Sequence, residues 1–395
     1  MATVHIIGGG VSGLAAATQL AEAHIPVKLY EATAHVGGRA RSSTDAALGS
    51  IDHGLHIIGA ESRELFAYLT RIGSVNTLKP IANPWKFHPA PIADYLDMLN
   101  AVTRPDDAVG EDIAPENQLV DGGVQSRARV LLHTPLEQLS SKAMRQLLWR
   151  KLRCKERGYY VPAESLAESF ITPALNHLEY HGGCMYFSHA LKGVEWADGK
   201  ANSLTFARKK VPVLAEDVVI LATPPSFTQA ILPAITVPIS NHASITVHYA
   251  VAHREALGII APLNAPLDIV RYDDGYIRVM IRIANAQWQS DPKLLAHRMW
   301  RWLQKQHAYL QTTRMPEYAI WREKRAGHLL TPHPRLDIAH LPPRILLAGD
   351  WLEAHAPSSL ESAAANGHRA ARAAIALIPK SGLRYQTPYS PYGRV

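Results

Sequence analysis

Cysteine is nearly absent. Cys154 and Cys184 are the two in a chain of 395 residues, and no CxxC spacing occurs. A disulfide framework, a paired-cysteine zinc site and a dithiol redox centre are thereby excluded, and so few cysteines suit a reducing compartment. Long apolar runs are missing too, since none approaches the ~18 residues of a membrane-spanning helix. The first residues, Met1-Ala2-Thr3-Val4-His5, lack the basic stretch that opens a secretory signal, so the expectation is a cytoplasmic protein. Internal repeats and low-complexity segments do not occur. With 47% hydrophobic and 19% charged residues, a chain this long buries a large core without covalent staples. Its length predicts two or three domains.

Acidic residues are outnumbered, and the net charge is +7. That balance points to nucleic acid or an anionic membrane surface as a partner. Nucleic acid is disfavoured, because no DNA- or RNA-binding motif is present. Seven basic residues and one acid, Glu156, fall within 142–157. There Met144, Leu147, Leu148 and Leu152 recur at helical spacing beside Trp149. Such a helix either lies in a membrane interface or turns its apolar stripe to the core and its basic face to water. A second segment, Arg298-Met299-Trp300-Arg301-Trp302-Leu303, mixes tryptophan and arginine as interfacial anchors do; a core-facing helix with a solvated basic face is the favoured reading of it.

What is present is concentrated near the two ends. Val4-His5-Ile6-Ile7 is a short apolar strand that runs into Gly8-Gly9-Gly10-Val11-Ser12-Gly13. A helical pattern follows from Leu14, and a second strand, Val27-Lys28-Leu29-Tyr30, ends in Glu31-Ala32. Strand, GxGxxG, helix, strand and acid in this order form a dinucleotide-binding fingerprint. Gly8 permits the tight turn, Gly10 lets a pyrophosphate approach the backbone, and Gly13 lets helix pack on strand. The pyrophosphate belongs at the helix N-terminus, beside Val11 and Ser12, and Glu31 accepts the ribose hydroxyls. Gly37-Gly38-Arg39 adds a second backbone approach and a cation. Toward the other end, Ile345-Leu346-Leu347-Ala348 is a strand ending in Gly349-Asp350, and Ser358-Ser359-Leu360 opens a helix. Asp350 is placed to hold a ribityl hydroxyl. The helix start at Ser359 and Leu360 is placed to stabilise negative charge on a flavin ring.

With these elements in order, the chain resembles the superfamily of FAD-dependent amine oxidases and phytoene desaturases. Asp52-His53-Gly54-Leu55-His56 looks like the glycine–histidine segment of its desaturase members. Trp321-Arg322-Glu323-Lys324-Arg325-Ala326 and Pro357-Ser358-Ser359-Leu360-Glu361-Ser362-Ala363 are similar to two runs of the hydroxysqualene dehydroxylases, also known as squalene-associated FAD-dependent desaturases. The resemblance spans roughly residues 3–75 and 160–378. His53 and Leu55 depart from that family's usual Asn and Gln, Gly327-His328 from its threonine and aromatic, and residues 80–158 are unlike it.

The resemblance implies an α/β fold: a discontinuous Rossmann-type FAD-binding domain with an α+β substrate domain of mixed sheet and helices, amine oxidase-like. The FAD domain is expected in three pieces, 1–75, 182–233 and 336–379, the substrate domain in 76–181 and 234–335, and a flexible tail in 380–395. No second GxGxxG occurs, so no separate NADPH domain is expected. Within these pieces, 185–194 reads as a hairpin-like stretch, 218–221 as a buried strand, 244–251 and 276–283 as alternating strands, and 291–306 as a helix. FAD is expected to bind non-covalently, because neither cysteine lies in the last FAD segment. Gly54, Leu55 and His56 are implied near the flavin, Leu191 on the adenine side (or as a plain core leucine) and Ala222 at the end of the 218–221 strand.

By the resemblance, His56 in the flavin-side segment and Lys324, which matches a lysine that superfamily amine oxidases keep near the flavin, are the candidate catalytic residues, each as the acid that protonates the hydroxyl. The other readings are a hydrogen bond from His56 to the cofactor and an ion pair of Lys324 with Glu323 or another acid. The implied activity is flavin-dependent reductive dehydroxylation of hydroxysqualene to squalene in bacterial hopanoid synthesis, on a long isoprenoid drawn from a membrane and with an external electron donor. Three alternatives stay open. A carotenoid-type desaturase runs the same flavin oxidatively. An amine oxidase needs an aromatic cage, for which Trp351 is in place without an identified tyrosine. A prenyl-lipid carrier of the Rab escort type uses no flavin, and predicts eroded FAD contacts.

Overall fold

The computed structural model describes residues 2–82, 132–134, 138–140, 142–143, 145–146, 158–251, 257–260, 267–273, 275–282, 284–331, 336–353 and 355–379. The basic 142–157 segment, apart from four residues, and the 380–395 tail lie outside them. The chain opens with β1 (Val4–Ile7), α1 (Val11–Glu22) and β2 (Val27–Tyr30). The hairpin of β3 (Ser42–Asp45) and β4 (Gly49–Asp52) leads to β5 (Ile58–Gly59), α2 (Arg63–Arg71) and β6 (Leu78–Ile81). β7 (Tyr159–Pro162) precedes a π-helical turn (Ala167–Ile171) that runs into α3 (Thr172–Tyr180). Next come β8 (Cys184–Tyr186), β9 (Leu191–Ala197), β10 (Lys200–Phe206), β11 (Lys210–Pro212), β12 (Val218–Leu221) and α4 (Pro225–Ile231). β13 (Asn241–Ala250), β14 (Gly258–Ile260), β15 (Ile269–Asp273), β16 (Tyr276–Ile281), α5 (Pro292–Gln306) and β17 (Tyr318–His328) follow, before β18 (Ile345–Leu347) and α6 (Leu360–Leu377).

A five-stranded parallel sheet, ordered β18-β12-β1-β2-β8, forms one half of the molecule. Its strands come from the beginning, middle and end of the chain. Every residue of β1 is buried, as a central parallel strand covered on both faces requires. The period of two divides its neighbours cleanly. Val4, Ile6, Val27, Leu29, Val218 and Ile220 face a core shared with α1, α3 and α6. Ile7, Tyr30, Val219, Leu221, Ile345 and Leu347 face the antiparallel layer β11-β10-β9, which supplies Leu191, Leu204 and Phe206.

The other half is a five-stranded antiparallel sheet, β14-β15-β16-β13-β17. α5 covers it, burying Leu295, Met299, Trp300 and Leu303 against Ile245, Val247, Ile277 and Val279. Asp291 caps α5, its carboxylate accepting from the amides of Lys293 and Leu294.

The 185–194 stretch is not a hairpin. β8 runs parallel to β2 as the edge of the first sheet, and β9 starts a separate layer. Ser188, at φ 55°, turns the chain between them. Apolar alternation through both strands hides that change of sheet.

Candidate cofactor and active site

The glycine loop between β1 and α1 is built by close approaches. Gly8 N–H donates to Tyr30 O at 2.8 Å, and Gly37 N–H to Gly9 O at 2.7 Å, so the two glycine segments lie side by side. A Cβ at Gly13 would stand 2.0 Å from Gly8 O, whereas one at Gly10 would meet nothing within 4 Å. Gly13 is thus needed for helix-on-loop packing, and the space over Gly10 is open. α1 begins there with Gly10 as its N-cap, without a side-chain cap and without an acid in its first turn. The Ser12 hydroxyl is buried and has no partner. Free amides, a positive helix end and an orphaned donor suit a diphosphate.

Glu31 closes the far side of the loop. Its carboxylate accepts from Gly9 N–H at 2.8 Å, Thr33 N–H at 2.9 Å and the Thr33 hydroxyl at 3.0 Å. Those bonds fix its position at the end of β2, beside exposed Ala32. Ala222 is held at the end of β12 by its amide's bond to Ile7 O at 2.8 Å.

Arg39 and Asp350, 311 residues apart, meet directly. Arg39 Nη2 donates to Asp350 Oδ2 at 2.6 Å, and Nη1 to Ala326 O at 2.7 Å. One guanidinium thereby joins the Gly37-Gly38 turn, the end of β17 and the Gly349-Asp350 exit from β18. Burial works to raise the Asp350 pKa, yet Arg39 and His328, with the Ser358 hydroxyl, hold it below the ordinary carboxylate value. Arg39 is raised against its own burial by Asp350.

The 357–363 run proves largely architectural. The Ser359 hydroxyl caps α6 by accepting from Ser362 N–H at 3.1 Å, and Ser362 returns the bond to Ser359 N–H. Leu360 is buried in the helical core. The Glu361 carboxylate accepts from the amides of Glu64 and Leu65, capping α2. Ser358 meets Nδ1 of His328 at 3.0 Å.

The 52–56 segment divides by role. Asp52 accepts from Leu166 N–H at 2.9 Å and from the Ser42 hydroxyl at 2.6 Å. His53 stacks on Trp321 with ring centroids 3.4 Å apart and bonds Ser43 and Arg41, a structural placement. Leu55 is buried among Val161, Ile259, Ile269 and Met280. His56 folds over Gly54, where an added Cβ would lie 3.7 Å from its Nε2, and that nitrogen is buried without a partner. Burial, helped by Arg282 and Arg39, pushes its pKa down to about 3.

Lys324 stands exposed on β17. The ladder with β13 pairs Ser244 with Glu323 and then His242 with Gly327, so Lys324, Arg325 and Ala326 form a bulge opposite one residue. Bulges re-aim side chains near functional sites, and this one turns the Ala326 carbonyl to Arg39. Leu191 is 2% exposed in the core between the two sheet layers. Trp351 is 3% exposed in the core, and its Nε1 donates to Thr223 O at 3.1 Å, which gives this aromatic a packing role. Sequence reasoning missed His133, His242 and Arg282, which the fold gathers beside this segment. His242 on β13 and His133 outside any strand stand alone in the sequence and carry no spacing signal.

The family model for an NAD(P)-binding Rossmann-like domain matches residues 6–72. A hydroxysqualene dehydroxylase from Zymomonas mobilis is 29% identical, over 95% of this chain and 99% of the relative. One from Sinorhizobium fredii is 28% identical, over 94% and 98%. The similarity to these two hydroxysqualene dehydroxylases spans nearly the whole of this chain and of each relative. A probable zeta-carotene desaturase from Synechococcus elongatus is 37% identical over 84 residues only, 21% of this chain and 18% of the relative. Among solved structures, a putrescine oxidase superposes with TM-score 0.69 at 16% identity, over 95% of this chain and 99% of the other. Cyclohexylamine oxidase from Brevibacterium oxydans superposes with TM-score 0.67 at 14% identity, over 95% and 99%.

The Rossmann-like domain and the glycine cradle support FAD as the cofactor. Orphaned Ser12 and the open face of Gly10 fit its diphosphate, and Glu31 its ribose. The relatives' names and the Rossmann-like fold support an FAD-dependent oxidoreductase.

Proposed function

We propose that this enzyme removes the hydroxyl of a long allylic isoprenoid alcohol, hydroxysqualene, to give squalene for hopanoid synthesis. The full-length similarity to hydroxysqualene dehydroxylases carries the reading, whereas the desaturase similarity is confined to about a fifth of the chain. The balanced reaction adds one hydride and one proton to the alcohol and releases water. Reduced FAD, when bound, supplies the hydride. The protein binds the alcohol in a dry, apolar setting, to which Leu55, Ile259, Ile269 and Met280 contribute, and delivers a proton to the departing oxygen.

Of the two candidates for that proton, His56 is neutral at physiological pH and serves as a hydrogen-bonding group. Lys324, on the bulge beside the carbonyl that holds Arg39, is the proposed donor. An external reductant recharges the flavin. An anionic membrane surface is the proposed meeting place with substrate. The outer face of α5 supports this reading, with Lys293, Arg298, Arg301 and Lys305 exposed and Leu294 70% exposed. Trp300, by contrast, is buried and is no interfacial anchor. None of the described helices is long and apolar enough to cross a membrane.

The test is product formation. FAD-loaded protein, a chemical reductant and hydroxysqualene are expected to yield squalene, while a phytoene-like polyene and a primary amine leave the oxidised flavin coloured. Bleaching by the polyene or the amine, with no squalene from the alcohol, would overturn the reading.

A further inference from the structure

One buried polar cluster, away from the glycine loop, holds nitrogens that no group among the described residues satisfies. It lies where β13 and β17 meet the 54–56 segment. His242, on β13, is 2% exposed, and its Nε2 has no hydrogen-bond partner. A Cβ added at Gly327, its neighbour across the ladder, would stand 2.8 Å from that nitrogen. Gly327 leads directly to His328 and hence to Ser358, so His242 stands next to the Arg39–Asp350 junction. His133 meets His242 edge-on, with ring centroids 5.4 Å apart, and its Nε2 accepts from Arg282. Arg282 also donates to Leu55 O at 3.3 Å, and its backbone N–H bonds Asp268. Following Leu55, His56 presents a second buried and unpartnered Nε2. Met280 and Leu55 make the neighbouring wall apolar.

Buried polar atoms are almost always paired, so two unpaired imidazole nitrogens in one cluster linked through His133 and Arg282 call for a ligand atom. Burial, with Arg282 and Arg39 adding to it, holds both rings at about 3. They are neutral at physiological pH. A neutral imidazole carries one donor and one acceptor, the complement of a hydroxyl, which is also both. The Arg282 bond leaves the proton of a neutral His133 on Nδ1.

We propose that His242 and His56, braced by the His133–Arg282 pair, are the recognition site for the hydroxyl oxygen of an isoprenoid alcohol. The site favours an alcohol over the corresponding hydrocarbon, which leaves the buried nitrogens unpaired. This rests on the isoprenoid-alcohol reading and adds the residues that distinguish alcohol from hydrocarbon.

The experiment titrates oxidised, FAD-loaded protein with hydroxysqualene and with squalene, reading perturbation of the flavin absorbance. The unmodified protein is expected to bind the alcohol more tightly. His242→Phe is expected to weaken alcohol binding about tenfold or more, to the level of squalene, with squalene binding unchanged. His242→Gln, which keeps a donor and an acceptor, restores part of the preference. Flavin content and thermal unfolding establish that each variant is folded, and His133→Phe serves as a second variant where His242→Phe is not. An intact preference in the folded variants would overturn the proposal. Equal loss of alcohol and squalene binding would also overturn it, in favour of a packing role. Failure of the unmodified protein to convert the alcohol at all would instead overturn the reading beneath it.

Discussion

Asp350 is 5% exposed, and burial by itself would favour its neutral acid. Arg39, bonded at 2.6 Å, and His328 reverse that preference, so the carboxylate is charged at the exit of β18, where the cofactor is proposed to lie. Asp350→Asn removes the charge and leaves Arg39 without its counter-ion, though Arg39 is itself 41% exposed and partly rescued by water. The variant is expected to fold and to lose FAD affinity by about tenfold or more, read from flavin retained after dialysis. Full retention would remove Asp350 from the site. At this scale Gly8, Gly13, Glu31 and Asp350 were legible in sequence, because a turn or a strand end forces each locally. His133 and Arg282 were not. They are 149 residues apart, and only the fold makes them neighbours.

Among the elements, α6 shows a position that helix propensity misjudges. Gly367 sits within it, where alanine favours the helix by about 1 kcal/mol. A Cβ there would fall 2.2 Å from Ser12 O and 2.9 Å from the Ala15 Cβ, so glycine is what lets α6 cross the start of α1. Backbone at the crossing cannot swing aside as a flexible side chain can. Gly367→Ala is therefore expected to destabilise by about 1–3 kcal/mol and to loosen FAD, because the displaced residue is Ser12. Thermal unfolding of the FAD-loaded variant checks this, and a raised Tm would contradict it. The βαβ start and the α5 pattern could be read from periodicity. The β17 bulge could not, since an extra pair of residues in one strand shows only against its partner. Nor could the jump of β8 and β9 into different sheets, which depends on one left-handed residue, Ser188.

For the whole molecule, the class was legible and the assembly less so. Short apolar strands announce a parallel sheet, but their order β18-β12-β1-β2-β8 is decided by two cores closing on opposite faces. Part of the positive charge lies on the outer face of α5, where Lys293, Arg298, Arg301 and Lys305 are exposed. FAD-loaded protein is expected to float with vesicles containing anionic lipid and to stay behind with neutral ones. Arg298→Glu with Arg301→Glu should weaken flotation. Indifference to lipid charge would contradict the membrane proposal without touching the chemistry.

The chemistry is tested most directly by a single turnover without oxygen. Protein carrying photoreduced FAD is mixed with hydroxysqualene, and flavin absorbance and extracted lipid are followed together. The expected result is reoxidation of the flavin with one squalene formed for each flavin reoxidised. A flavin that stays reduced in the presence of the alcohol, with no squalene formed, would contradict the assignment.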